Sequence, residues 1–134
     1  FATGSLPPGE YEGFVTVQGV DSGVESRIPY WYAVSSETPE YITLLHTASN
    51  LTAGSTSTNA ILFRISDASG IPLFLTQPEV SPISGGGEVV RIRTLDGASP
   101  GLFGVDVLLG SEPGPNVFRI QAGAITRDVT LSAN

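Results

Sequence analysis

Apolar and polar residues alternate along most of this chain, in short runs separated by Gly, Pro, Ser and Asn. Successive side chains of a strand point to opposite faces, so alternation gives one covered face and one wet face. No window keeps a 3.6-residue apolar period over three turns, and helices are not expected. The pattern predicts strands at Tyr11–Gly19, Ser26–Val34, Tyr41–His46, Asn59–Ser66, Glu88–Thr94, Leu102–Leu109, Asn116–Ala122 and Ile125–Leu131. Shorter strands are expected near Leu73–Thr76 and Glu79–Pro82. Short strands at this spacing predict a sandwich or barrel rather than βαβ units.

The alternation also assigns faces. Ile61, Phe63 and Ile65 share one side of their strand, with Leu62 and Arg64 on the other. Phe118, Ile120 and Ala122 oppose Val117, Arg119 and Gln121, while Val105, Val107 and Leu109 oppose Asp106 and Leu108. One apolar and one mixed face per strand is what two sheets covering each other on one side require. Residues 35–40 (Ser-Ser-Glu-Thr-Pro-Glu) are polar and contain proline, so they read as an interdomain linker. Only two strands precede them, and an isolated hairpin is marginal in water. That hairpin must pack on the sandwich, pair with another chain, or be the remnant of a further domain, and the remnant is the reading adopted. Pro8–Val17 echoes Pro100–Val107: each has Pro-Gly, an aromatic two residues after the glycine, then a β run.

Composition narrows the function. Six arginines face 13 acidic residues for a net charge of −7, with no basic stripe to neutralise phosphate. Nucleic acid is not an expected partner, and an anionic membrane surface is disfavoured by the same repulsion. No apolar run approaches the ~20 residues of a spanning helix, so no membrane insertion is expected. The absence of cysteine removes disulfides and thiolate metal sites. With no methionine and no signal peptide after Phe1, the sequence is expected to be an excerpt or a processed product.

Two resemblances follow from particular residues. Leu6-Pro7-Pro8-Gly9-Glu10-Tyr11 looks like the tyrosine corner of immunoglobulin and fibronectin-type sandwiches, where a tyrosine hydroxyl returns to backbone a few residues upstream. Together with Arg27–Val34, this stretch resembles the end of the fibronectin-like domain that follows the catalytic domain in many bacterial subtilisin-like proteases. The remainder resembles a bacterial immunoglobulin-like domain of the invasin and intimin type, through Phe63–Leu73 with its Asp67-Ala68-Ser69-Gly70-Ile71-Pro72, the turn Ser84–Glu88, and Glu112–Gly123 with Val129-Thr130-Leu131. No tryptophan and cysteine pair marks an antibody-type core. The resemblance implies residues 1–36 as the terminal hairpin of a fibronectin-like domain and residues 37–134 as an immunoglobulin-like β-sandwich. It further implies a non-catalytic accessory module, secreted or at the bacterial cell surface, that spaces or docks a peptidase domain lying upstream. Its expected partners are neighbouring domains of the same parent chain.

The candidate chemistry is sparse. His46 is the single histidine, at a strand end, and no Gly-x-Ser-x-Gly elbow accompanies it, so no catalytic residue is assigned. Asp67, Asp96, Asp106 and Asp128 are scattered and read as solvated strand faces and turn caps. Asp21-Ser22-Gly23 and Asp67–Gly70 offer oxygens to a structural calcium, but neither approaches an Asp-x-Asp-x-Asp-Gly loop, and simple Asx-turns explain both. No cofactor or metal ligand is therefore assigned. Ser84–Gly87 lacks the lysine and helix of a phosphate cradle. The one suggestive surface is Tyr30, Trp31 and Tyr32: consecutive strand residues point both ways, so at least one faces outward. That residue stacks on a sugar or protein partner, or is covered by the neighbouring domain. The rival readings are an adhesin-type surface module and a carbohydrate-binding module built on these aromatics.

Overall fold

The computed structural model describes residues 6–74, 76–95, 97 and 100–134. Nine strands form among them: β1 (Gly9–Gln18), β2 (Glu25–Val34), β3 (Tyr41–Thr47), β4 (Thr56–Ser66), β5 (Glu79–Ser84), β6 (Glu88–Thr94), β7 (Leu102–Leu108), β8 (Gly114–Ala122) and β9 (Ile125–Ala133). All pair antiparallel in three sheets, β1-β2, β3-β4-β7-β6 and β5-β8-β9. The last two sheets have the strand order of a seven-stranded immunoglobulin constant-type sandwich. The protein is thus all-β, with an immunoglobulin-like sandwich following a β-hairpin.

The faces assigned by alternation form the core. Ile61, Phe63, Ile65, Phe103, Val105 and Val107 from one sheet meet Phe118, Ile120, Ala122, Val129 and Leu131 from the other. The rings of Phe63 and Phe103 stack with centroids 5.4 Å apart. After β3 the chain crosses toward β9, where Leu51 bridges Ala133 in parallel. The amide of Asn134 donates to the Leu51 carbonyl (2.8 Å) and that of Ala53 to the Asn134 carbonyl (3.0 Å). Higher on the same seam, Arg127 donates to the Ile42 carbonyl at 2.8 Å.

Two sequence expectations are corrected. Leu73–Thr76 is not a strand at its described residues: Leu75 lies outside them, and the loop's pairing is limited to one bridge, Ser66 to Pro72. Proline cannot donate to a ladder, and Asp67 closes the loop on itself instead. The start of β1 has a further parallel at β8: each opens on Pro-Gly, with Gly9 at φ +151° and Gly114 at +146°, values that exclude most side chains.

The second correction concerns Asp106, which is buried rather than solvated, at 4% exposure; Asp67 caps its own turn as expected but is buried too, at 1%. Around Asp106, β4 carries three residues (58–60) where β7 has one, and β6 carries an extra residue at Val90. Within the β4 irregularity the Asn59 amide reaches Asp106 Oδ1, and from β6 Arg91 and Arg93 bond the same carboxylate. Asp96 lies outside the described residues, and Asp128 is exposed and paired with Arg119 at 2.7 Å.

Candidate interaction surface

Register on the hairpin sorts its side chains into two faces. Tyr11, Val15 and Val17 of β1 lie with Tyr32, Tyr30 and Ile28 of β2, and Gly13 sits opposite Tyr30. Glu10, Glu12, Phe14, Thr16 and Gln18 share the other face with Ala33, Trp31, Pro29, Arg27 and Glu25. The consecutive aromatics Tyr30, Trp31 and Tyr32 are therefore split: the two tyrosines join the apolar face, and Trp31 stands alone on the mixed one. They cannot act as one stacking platform.

The apolar face is organised but uncovered. Tyr11 stacks on Tyr32 with centroids 5.3 Å apart, Tyr32 on Tyr30 at 6.1 Å, and Tyr30 folds over Gly13, where a Cβ would meet its hydroxyl at 2.7 Å. The Tyr11 hydroxyl donates to the Pro7 carbonyl at 2.6 Å, the bond expected of a tyrosine corner. Val15, Val17, Ile28, Tyr30 and Tyr32 are nevertheless exposed. On the other face Trp31 is 61% and Phe14 58% exposed, with the Arg27 guanidinium 4.7 Å from the Phe14 ring centroid. These exposed apolar residues lie side by side on one strand face, which makes it the candidate interaction surface of the chain.

Residues 35–40, between the hairpin and the sandwich, are held in place. Glu37 adopts φ +57°, its amide donates to Ser35 Oγ (3.1 Å), and the Thr38 amide donates to Ser36 Oγ (3.3 Å). Across the gap, the Ser36 amide donates to Asp67 Oδ2 at 3.0 Å. The other carboxylate oxygen, Oδ1, accepts the amides of Ser69 (3.0 Å) and Ile71 (2.9 Å). Burial pushes the Asp67 carboxyl up, but hydrogen bonds from Ile71, Ser36, Ser35 and Ser69 outweigh it and leave the group below the usual aspartate range. Beside this carboxylate lies a half-open cleft of about 330 Å³, lined by Ser35, Glu37, Ile71, Pro72, Leu73, Phe74 and Thr76.

Among the described residues, the remaining titratable candidates, His46 and Asp106, lie apart from one another, on β3 and β7. His46 is exposed at a bulge in the edge strand β3, and its side chain has no hydrogen-bond partner among the described residues. Asp106 accepts the Asn59 amide (2.8 Å) and the Arg93 (2.8 Å) and Arg91 (3.1 Å) guanidiniums. The Asn59 bond and the two arginines hold its carboxyl low against burial, which raises it. This cluster clasps the outer face of one sheet, and sequence reasoning missed it because the register shifts beside Asp106 leave no mark in the alternation. Among the described residues no group of three or more His, Cys, Asp or Glu is placed to hold a metal ion. At Asp67 the oxygens are engaged by N–H donors, which fits an Asx-turn.

No family model matches the chain, and no curated protein matches it by sequence. Among solved structures it is similar to a crystal structure of domains 4 and 5 of the S-layer protein SbsC, with a TM-score of 0.57 and 18% identity over 94% of this chain and 65% of that one. It is also similar to SbsC domains 1–6 (TM-score 0.56, 20% identity, 94% of this chain, 16% of that one). For rSbsC(31-844) the values are 0.58, 18%, 96% and 17%. The chain thus spans less than two thirds of each, and at such identity the likeness is one of fold. Because the sandwich alone makes up about seven tenths of the chain, a match over 94% takes in the hairpin as well.

Proposed function

We propose that this chain is a non-catalytic structural module of a multi-domain protein, secreted or at the cell surface, and that its hairpin is the last pair of strands of a second sandwich. The observation that carries this reading is the hairpin's apolar face, laid out like the inner face of β8-β9 and anchored by the Tyr11–Pro7 bond, yet uncovered. A strand face of this composition reaches stability only when a facing sheet covers it. The partner is a neighbouring unit of the same protein, and the role is to space and orient units through packed surfaces.

The parent is proposed from the sequence resemblance: a bacterial subtilisin-like peptidase, with this chain in its C-terminal accessory region. The likeness to S-layer domains supports a second reading, an array of β-units that builds or decorates a cell surface. The test is the intact mass of the native protein with its sequence read upstream of Phe1. A Ser-His-Asp peptidase domain upstream is the expected result for the first reading, and repeated β-units without one are expected for the second. A native protein of these 134 residues alone, its hairpin face paired between two copies, would overturn both.

A further inference from the structure

Whether the two units swivel or hold a fixed angle depends on residues 35–40, and polar, proline-containing segments are ordinarily read as loose tethers. The bonding here is of another kind. Asp67 directly follows β4, its own turn held by Oδ1, while Oδ2 faces the joining segment and accepts the Ser36 amide at 3.0 Å. On the segment's far side, the Glu40 amide donates to the Ser66 carbonyl at 2.9 Å, extending the β3-β4 ladder. The Gly123 turn of β8-β9 lies against Pro39, which a Cβ there would meet at 3.5 Å. The segment is thus fixed at one end to the turn after β4, at the other to the last residue of β4, and rests on a third element.

We infer that Asp67 is the positioning residue of a rigid joint, its Oδ2 holding Ser36 so that the hairpin-bearing unit keeps one orientation on the sandwich. The inference rests on the two-unit reading for its biological meaning, but its test reads local geometry and the parent's mass decides that reading separately. The division of labour between the two oxygens supplies the experiment. Asp67→Asn keeps an acceptor for Ser69 and Ile71 but turns an N–H₂ group toward the Ser36 amide, which has nothing to accept its proton. Asp67→Ala removes both functions.

The 134-residue chain has no cysteine, so nitroxide labels at Glu10→Cys and Thr130→Cys sit only where they are placed. Pulsed electron resonance is expected to give one narrow distance distribution in the parent chain and a broad one with Asp67→Asn. Exchange of the Ser36 amide is expected to quicken roughly tenfold, the loss of one hydrogen bond to a charged group. The sandwich should melt within a few degrees of the parent in Asp67→Asn and well below it in Asp67→Ala. A parent distribution that is already broad, or one unchanged by Asp67→Asn, would overturn the inference. So would an Asp67→Asn variant as unstable as Asp67→Ala, because Asp67 would then serve only its own turn.

Discussion

Strands β1 and β8 each open on a Pro-Gly step with the glycine at φ near +150°, then run antiparallel to the strand that follows. Two residues after the glycine comes a side chain that ties the strand back to the segment before it. In β1 this is Tyr11, donating to Pro7. In β8 it is the buried Asn116, whose Oδ1 accepts the Gly110 amide at 2.8 Å. Position by position Val15 corresponds to Ile120 and Val17 to Ala122, yet Ile120 and Ala122 are fully buried while both valines are exposed. Alternation therefore creates a face in either hairpin, but only a facing sheet makes it a core, and the free energy of burial is available only in β8-β9.

The largest contrast is expected from truncating matched apolar positions. Phe118→Ala should cost about 3–5 kcal/mol of the sandwich's stability, by lost transfer energy plus a cavity. Val15→Ala, with little to lose to water, should cost under about 0.5 kcal/mol in the same chain. Urea unfolding followed by circular dichroism measures both. Equal costs would mean that β1-β2 is covered after all and would dissolve the distinction.

Acid should separate the two regions more gently. Asp67 and Asp106 belong to the sandwich and its joint, and both carboxyls are held below their ordinary value. A depressed folded-state pKa contributes stability that is present above the unfolded value, about 3.9, and is lost as pH falls through the lower folded value. The sandwich should therefore lose stability progressively below about pH 4, as both carboxylates take up protons. Trp31, the single tryptophan, stands on the hairpin and reports that region alone. Its emission should not follow the acid transition seen by circular dichroism, and coincident curves would show the two regions unfolding as one.

The smallest expected effect sharpens the comparison at the strand starts. Tyr11→Phe removes one exposed hydrogen bond and should cost about 0.5–1 kcal/mol of hairpin order, seen as faster exchange of the Gly13 and Tyr32 amides. Asn116→Ala should cost the sandwich more, about 1–3 kcal/mol, since it strands the buried Gly110 amide. A reversed order would mean that the tyrosine, not the asparagine, does the stronger anchoring.

How much of this was legible in the chain follows from what alternation encodes. Period-two runs such as Ile61–Ile65 and Phe118–Ala122 name their inner residues directly, so the sandwich and most of its core could be read in advance. The split of Tyr30, Trp31 and Tyr32 was legible for the same reason. Asp106 was not, because its partners Asn59, Arg91 and Arg93 reach it through an irregular register between strands distant in sequence. Asp67 was recognised as a turn residue through Asp-Ala-Ser-Gly, but its reach to Ser36, 31 residues earlier, is a property of the folded joint. The Leu73–Thr76 run misled because short apolar runs next to proline fit a loop as well as a strand.

The seam between β3 and β9 has a mechanical consequence. The sandwich begins at Tyr41 at one pole and ends at Asn134 at the other, with Leu51 bridged to Ala133 in parallel and Arg127 bonded to Ile42 along the way. A pull applied at those two ends slides β3 and β9 past each other, loading the bonds of Leu51, Ala53, Asn134 and Arg127 together instead of opening them one after another. Bonds strained in parallel share the force, so tension along the chain meets its resistance at this seam before it reaches the core.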